Sequence, residues 1–220
     1  MTRTYVGADT VEETVAAMSR GARPVAGGTD LVVGARQGKA PLPESLVAIH
    51  RVSELHGVQL AGDALRLGAL VTHGEIAAHP LVLERFTALA DAASIVGSHA
   101  TRAQGTVGGN LMNASPAMEL GGPLMTFGAS ATLRTEAGER SVAVADLVAA
   151  PGRTTAEAGE LLTEVTVPVP PDGAGSCYAR LEYRQQMEIA VVGATAIVVL
   201  EEGRVAAAKV AITALAPTIR

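Results

Sequence analysis

The chain has 220 residues, with 17 Lys and Arg against 22 Asp and Glu, 48% hydrophobic residues, three Tyr, two Phe and no Trp. So apolar a chain is not disordered, and a net charge of −5 with few aromatics lacks the basic patches and stacking platforms of a nucleic-acid binder. A single Cys permits neither an internal disulfide nor a Cys-ligated iron–sulfur cluster, the longest uncharged apolar stretch (Ile189 to Leu200) is too short to span a bilayer, and the start from Met1 to Asp9 has no apolar signal core, so a soluble, cytoplasmic protein is expected.

In chain order, Thr10-Val11-Glu12-Glu13 reads as a capping box opening a helix whose inner face carries Val11, Val15 and Met18 and which Gly21 stops. Pro24-Val25-Ala26 is a short buried strand, and Asp30 is placed to cap a second helix from Leu31 to Gln37. Leu46 to Ile49 is another strand, so residues 1–57 alternate α and β, which favours parallel pairing. Val58 to Leu60 and Leu65 to Leu67 flank Ala61-Gly62-Asp63-Ala64 as a hairpin. Thr72-His73-Gly74-Glu75 is a second capping box, and Leu81 to Val96 predicts the longest helix, ended by Gly97. Ala117 to Phe127 reads as helical with interruptions at Gly121, Gly122 and Pro123. A second hairpin spans Ala131 to Val144, Leu161 to Val167 alternates as a strand, and Pro168 to Gly175 has linker composition. Strands around Cys177 to Tyr183 and Val205 to Thr213 bracket a strand or helix from Ile189 to Leu200.

The common enzyme signatures are missing. No Gly-x-Gly-x-x-Gly follows a strand and no Gly-x-Ser-x-Gly elbow exists. Gly34 to Lys39 is one residue short of a P-loop and is followed by Ala40, where magnesium binding needs Ser or Thr. The five His residues (50, 56, 73, 79 and 99) lack zinc spacing and read as surface or capping residues.

Two glycine-rich turns remain. Val25-Ala26-Gly27-Gly28-Thr29-Asp30 joins a strand to a helix; paired glycines let successive main-chain N–H groups converge beside a helix N-terminus, the geometry that holds phosphate. A plain tight turn has the same residues. Thr106-Val107-Gly108-Gly109-Asn110 gathers a hydroxyl, two glycines and an amide, with the carboxylate of Glu119 nine residues beyond Asn110; an irregular loop over the core is the other reading.

In this order and spacing, the two turns resemble the FAD-binding (medium) subunits of molybdenum hydroxylases, the family that includes the flavoprotein subunits of xanthine dehydrogenase and aerobic carbon monoxide dehydrogenase. The resemblance also covers Leu46-Val47-Ala48-Ile49, Arg102 to Gly105, Asn113-Ala114-Ser115-Pro116, Glu160 to Val165 and Tyr178 to Val191. It implies that Val25, Ala26, Gly27, Gly28, Thr29 and Asp30, with Thr106, Val107, Gly108, Gly109 and Asn110, hold the FAD pyrophosphate through main-chain N–H groups. Glu119 stands where the family usually carries an Asp that helps hold the flavin, and Leu161 matches an apolar residue packed on the isoalloxazine. Arg180 falls where Lys is frequent near the flavin's polar edge, where a cation favours an anionic reduced flavin. Arg184 and Glu188 match a recurrent pair, which an i,i+4 contact on a helix surface also explains.

The implied fold is α+β: a two-subdomain FAD-binding fold of the PCMH (vanillyl-alcohol oxidase-like) type, followed by a short or incomplete C-terminal α+β domain. The expected division is 1–57, 58–170 and 171–220. The implied function is that of an FAD-containing electron-transfer subunit, an oxidoreductase component with no catalytic side chain and no metal ligand of its own. A molybdopterin-binding large subunit and a [2Fe–2S] small subunit are the implied partners, with the molybdenum–pterin and the [2Fe–2S] clusters held only there, and with no nucleic acid and no membrane span. A stand-alone FAD-dependent oxidoreductase of the same fold and a non-catalytic scaffold that has lost flavin are the alternatives. With five aromatics in the chain, the flavin ring is expected to pack on aliphatic groups such as Leu161.

Overall fold

The computed structural model describes residues 3–220. Among these, three main sheets and one two-stranded ribbon make up the β structure. The first joins β1 (Thr4–Gly7), β2 (Arg23–Val25) and β3 (Ser45–Ala48) in the order β1-β3-β2, all parallel, with α1 (Val11–Ser19) and α2 (Leu31–Arg36) as crossovers. The alternation of α and β thus gives the parallel pairing it predicts, and β1, exposed throughout, adds an edge strand that hydrophobic patterning alone does not reveal. Thr10 caps α1 by accepting from the Glu13 N–H at 3.1 Å, but the Glu13 carboxylate reaches the N–H of Asp9 at 2.8 Å, one residue outside the standard box. Asp30 does not cap α2 with its side chain; its backbone is already helical at φ −91°, ψ −46°.

The second sheet is antiparallel in the order β4-β5-β10-β6-β7. β4 (Val58–Ala61) and β5 (Ala64–Gly68) form the expected hairpin with Gly62 and Asp63 at its tip. A helical layer follows: α3 (His73–Ala78), α4 (Pro80–Arg85), α5 (Thr87–Ser94), α6 (His99–Arg102), α7 (Val107–Asn113) and α8 (Gly121–Thr126). The Thr72–Glu75 capping box of α3 is complete, at 3.2 and 2.7 Å. The single long helix predicted over 81–96 is instead two, because Phe86 leaves helical geometry at φ −130°, ψ 48°. There its buried ring packs edge-on against Phe127, centroids 5.3 Å apart, and tertiary packing overrides the helical pattern. α8 begins at Gly121 rather than being interrupted by it, and packs against the third sheet.

β6 (Ser130–Thr135) and β7 (Gly138–Ala143) are the second hairpin, followed by α9 (Val144–Leu147) and the small ribbon of β8 (Val148–Ala150) and β9 (Arg153–Thr154). β10 (Leu161–Pro168) returns through the middle of the second sheet, bulged between Leu162 and Glu164. The third sheet is the antiparallel meander β11 (Ala174–Leu181), β12 (Val192–Glu201) and β13 (Arg204–Thr213), so the segment read as strand or helix is a strand.

The larger hydrophobic cluster fills the space between the second sheet and its helices and takes in Tyr178, Ile197 and Ala211 from the third sheet. A smaller cluster under the first sheet unites Val11, Val15, Val47 and Ile49 with Leu70 and Leu161 from the second region. Strand alternation separates the two neighbours before the bulge: Leu162 belongs to the large cluster and Leu161 to the small one, where it borders the cleft described next. Among the described residues, no helix is long and apolar enough to cross a membrane.

Candidate functional site

A cleft of about 660 Å³ runs between the first sheet and the helical layer, within the size range of small-molecule and cofactor sites. One wall is the connection from β2 to α2, Val25 to Asp30; the other is formed by Thr106, Gly108, Gly109 and Asn110 at the start of α7. The cleft extends past Glu119 and Leu161. Of the fourteen residues singled out from the sequence, these twelve meet here.

The two glycine turns differ in construction. In the first, Gly28 takes the left-handed φ of +69°, and among the described residues no hydrogen bond is made by the main-chain N–H groups of Gly27, Gly28, Thr29 or Asp30. In the second, every N–H from 107 to 110 is already engaged. Val107 donates to the Val71 carbonyl and Gly108 to that of Ala69, both at 2.9 Å; Gly109 donates to the Thr106 hydroxyl at 3.1 Å and Asn110 to the Thr106 carbonyl at 2.9 Å. The second turn is thus neither an irregular loop nor the expected row of free N–H donors but a Thr-capped short helix anchored to the β5–α3 connection. What it offers the cleft are side chains, above all Asn110, whose buried Oδ1 has no partner among the described residues.

The two turns also touch. A Cβ added at Gly27 would lie 1.8 Å from the Gln104 carbonyl oxygen and 3.2 Å from the Gly105 nitrogen. Gly27 is therefore required by close backbone approach between the walls, and Gly28 by its conformation.

Val107 and Arg180 stand off the cleft wall. The Val107 side chain is fully buried in the large core. Arg180 lies behind Glu119, its side chain 2% exposed, donating to the Glu119 carboxylate at 3.0 Å, to the Glu182 carboxylate, and to the carbonyls of Ile95 and Gln185. Burial raises the Glu119 carboxyl above its ordinary value, against its own backbone N–H and the Arg180 guanidinium, which lower it. Arg180 thus holds the one carboxylate it can present to the cleft. The Arg184–Glu188 pair is not a helix-surface contact: the segment is irregular, the Glu188 carboxylate accepts from the Arg184 main-chain N–H, and the guanidinium donates to the Met187 carbonyl.

Several cleft residues are not assigned to the site from the sequence. Met187, Ile189 and Glu188, the last read only as the partner of Arg184, come from the irregular segment between β11 and β12, and Met187 is tied to the Gly97 carbonyl through its N–H at 3.0 Å. Arg23 and Lys39 bring cations to the first-sheet side. His73 is 3% exposed and lines the cleft, not a surface residue. Glu160 lines it too, held by a two-bond fork from Arg140 at 2.6 and 2.8 Å that keeps its carboxyl below the usual value.

The family model for the FAD binding domain in molybdopterin dehydrogenase matches residues 1–170. The alpha subunit of the 6-hydroxypseudooxynicotine dehydrogenase complex of Paenarthrobacter nicotinovorans is 31% identical over 90% of this chain and 67% of its own length. The nicotinate dehydrogenase FAD-subunit of Eubacterium barkeri is 33% identical over 77% of this chain and 58% of its own length, so the chain spans roughly three fifths to two thirds of these relatives. A chain of carbon monoxide dehydrogenase from Hydrogenophaga pseudoflava superposes with a TM-score of 0.95 at 26% identity, covering 100% of this chain and 77% of that one. The chain is α+β, and it belongs to the family of FAD-binding domains of the molybdopterin dehydrogenases.

Proposed function

We propose that this chain is the flavin-carrying electron-transfer subunit of a molybdenum hydroxylase and that the cleft holds its FAD. The observation that carries the reading is the row of unpaired main-chain N–H groups from Gly27 to Asp30, open to a cleft whose opposite wall presents Thr106 and the unpartnered Asn110. Four unengaged N–H donors in one turn beside a cleft suit a pyrophosphate. The donor set of the first turn makes it the principal anion cradle, with side chains of the second turn completing it. Leu161, 4% exposed at the cleft surface, offers an aliphatic face for a flat ring, and Glu119, positioned by Arg180, offers a carboxylate to its polar edge. These residues bind and orient the cofactor and exclude water; bound FAD supplies the redox chemistry.

One Cys cannot ligate an iron–sulfur cluster, so a cluster feeding this flavin would belong to a partner; in this reading the [2Fe–2S] clusters of a small subunit would supply the electrons from the molybdenum–pterin centre of a large one. They leave for an external acceptor such as NAD, oxygen or a quinone. The visible spectrum of the purified chain tests the cofactor claim: a flavin spectrum is expected, and a protein that stays colourless after FAD is added rejects it. Tagged chain isolated from its native host should bring down molybdenum- and iron–sulfur-containing subunits; a monomeric chain with full dehydrogenase activity favours a stand-alone oxidoreductase instead.

A further inference from the structure

His73 is the first residue of α3, and its main-chain N–H donates to the Gly105 carbonyl at 3.0 Å. A Cβ added at Gly105 would meet ring atom Cδ2 at 3.0 Å and Nε2 at 3.4 Å. The Gly105 nitrogen in turn faces Gly27, so the imidazole stands directly behind the seam where the two glycine turns meet. Nδ1 is buried and unpartnered, and no hydrogen bond to Nε2 is found among the described residues. The ring lines the cleft, so its free Nε2 is the nitrogen with a partner to find there.

The ring's charge state follows from its surroundings. Burial, reinforced by the cation of Arg102, pushes its pKa down to about 4. A neutral imidazole has one N–H. Placing it on Nε2 aims a donor toward the seam and leaves a lone pair at buried Nδ1, a more tolerable orphan than an N–H.

We infer that His73 is a cofactor-binding residue whose neutral imidazole donates a hydrogen bond through Nε2 to a pyrophosphate oxygen at the seam of the two turns. The inference rests on the cleft being the FAD site. Binding of FAD and of ADP to the flavin-free chain tests it by titration calorimetry, because ADP carries the pyrophosphate without the flavin ring. His73→Leu should weaken both ligands in parallel, by roughly ten- to a hundred-fold in Kd for a lost hydrogen bond to a charged group. His73→Gln, which places an amide donor near the same point, should restore most of the loss. Wild type that binds no FAD overturns the cleft reading and this inference with it. Wild type that binds while His73→Leu matches it overturns the inference alone, as does a loss confined to FAD or an equal loss in His73→Gln. Imidazole nitrogen NMR of the wild-type chain gives a measurement independent of variant folding: ADP must shift the His73 Nε2 resonance, and an unmoved signal rejects the contact.

Discussion

Gly27 and Gln104 approach backbone to backbone: a Cβ on Gly27 would stand 1.8 Å from the Gln104 carbonyl oxygen and 2.5 Å from its carbon. No rotamer change relieves a clash with main chain, so the turn after β2 would have to lift off the turn before α7. Gly28 is different, since its added Cβ meets only side-chain methyls, Val32 Cγ2 at 3.4 Å and Val25 Cγ1 at 3.7 Å, and the strain lies in its φ of +69°. Gly28→Ala should therefore cost about 1–2 kcal/mol, whereas Gly27→Ala should reach or exceed the roughly 1–3 kcal/mol of ordinary overpacking. Urea denaturation of the two variants measures the order; a Gly27→Ala midpoint at or above that of Gly28→Ala contradicts the role given to the seam.

The second turn divides between support and site in the same way. A Cβ at Gly108 would come within 2.8 Å of the Ala69 carbonyl oxygen, the acceptor of Gly108's own N–H, whereas exposed Gly109 meets only the Thr106 hydroxyl at 3.0 Å. Gly108→Ala should lower stability. Gly109→Val should keep the fold and lose the flavin, because its bulk projects into the space assigned to the cofactor. Far-UV circular dichroism alongside the flavin absorbance of the purified variant checks this, and a folded Gly109→Val protein that stays yellow rejects the assignment of that wall.

Arg180 belongs to the support as well. Its guanidinium bridges Glu119 and Glu182 and donates to two carbonyls from a position 2% exposed. Breaking such a pair from one side leaves a buried carboxylate uncompensated, which costs about 3–5 kcal/mol. Arg180→Met should show a loss of that order in urea denaturation and push the already raised Glu119 carboxyl further toward its neutral form. Arg180→Lys should recover only part of the stability, because a single ammonium cannot serve two carboxylates and two carbonyls with the planar fork's geometry. Full recovery by Lys identifies the site as one needing charge alone.

Local chemistry made much of this legible in the sequence. Strand alternation and turn residues placed the hairpins, α/β alternation announced the parallel sheet, and Gly-Gly pairs marked both cleft walls. What stayed hidden depends on contacts distant in sequence. Phe86 breaks a helix because Phe127 packs on it from another element. The N–H groups of Val107 and Gly108 look as free as those of 27–30 until the β5–α3 connection is docked against them, whereas those of Gly109 and Asn110 are taken locally by Thr106. His73 sits at a capping-box position that reads as surface, and only tertiary packing buries it. Ile189, read as the start of a strand or helix, instead reaches the cleft from the irregular segment before β12.

His73 and Glu160 predict adjoining windows of acid sensitivity. For His73 the folded-state pKa of about 4 lies below its ordinary 6.5, so between those values the unfolded chain binds a proton that the folded chain refuses. Its contribution is complete above about 6.5 and is lost as pH falls toward 4; at roughly 1.4 kcal/mol per unit, the window is worth about 3 kcal/mol. For Glu160 the Arg140 fork depresses the folded-state pKa below the ordinary 4.5, so its contribution is present above 4.5 and disappears as pH falls through the folded value. Thermal midpoints followed from neutral pH downward should therefore fall in two stages. His73→Gln should flatten the first stage and leave the second. Glu160→Gln should start lower at neutral pH, keep the first stage and lose much of the second, because the variant has no carboxylate left to protonate there. A wild-type midpoint that holds level from pH 6.5 to 4.5 contradicts the buried neutral imidazole, and with it the charge state from which its single N–H was assigned.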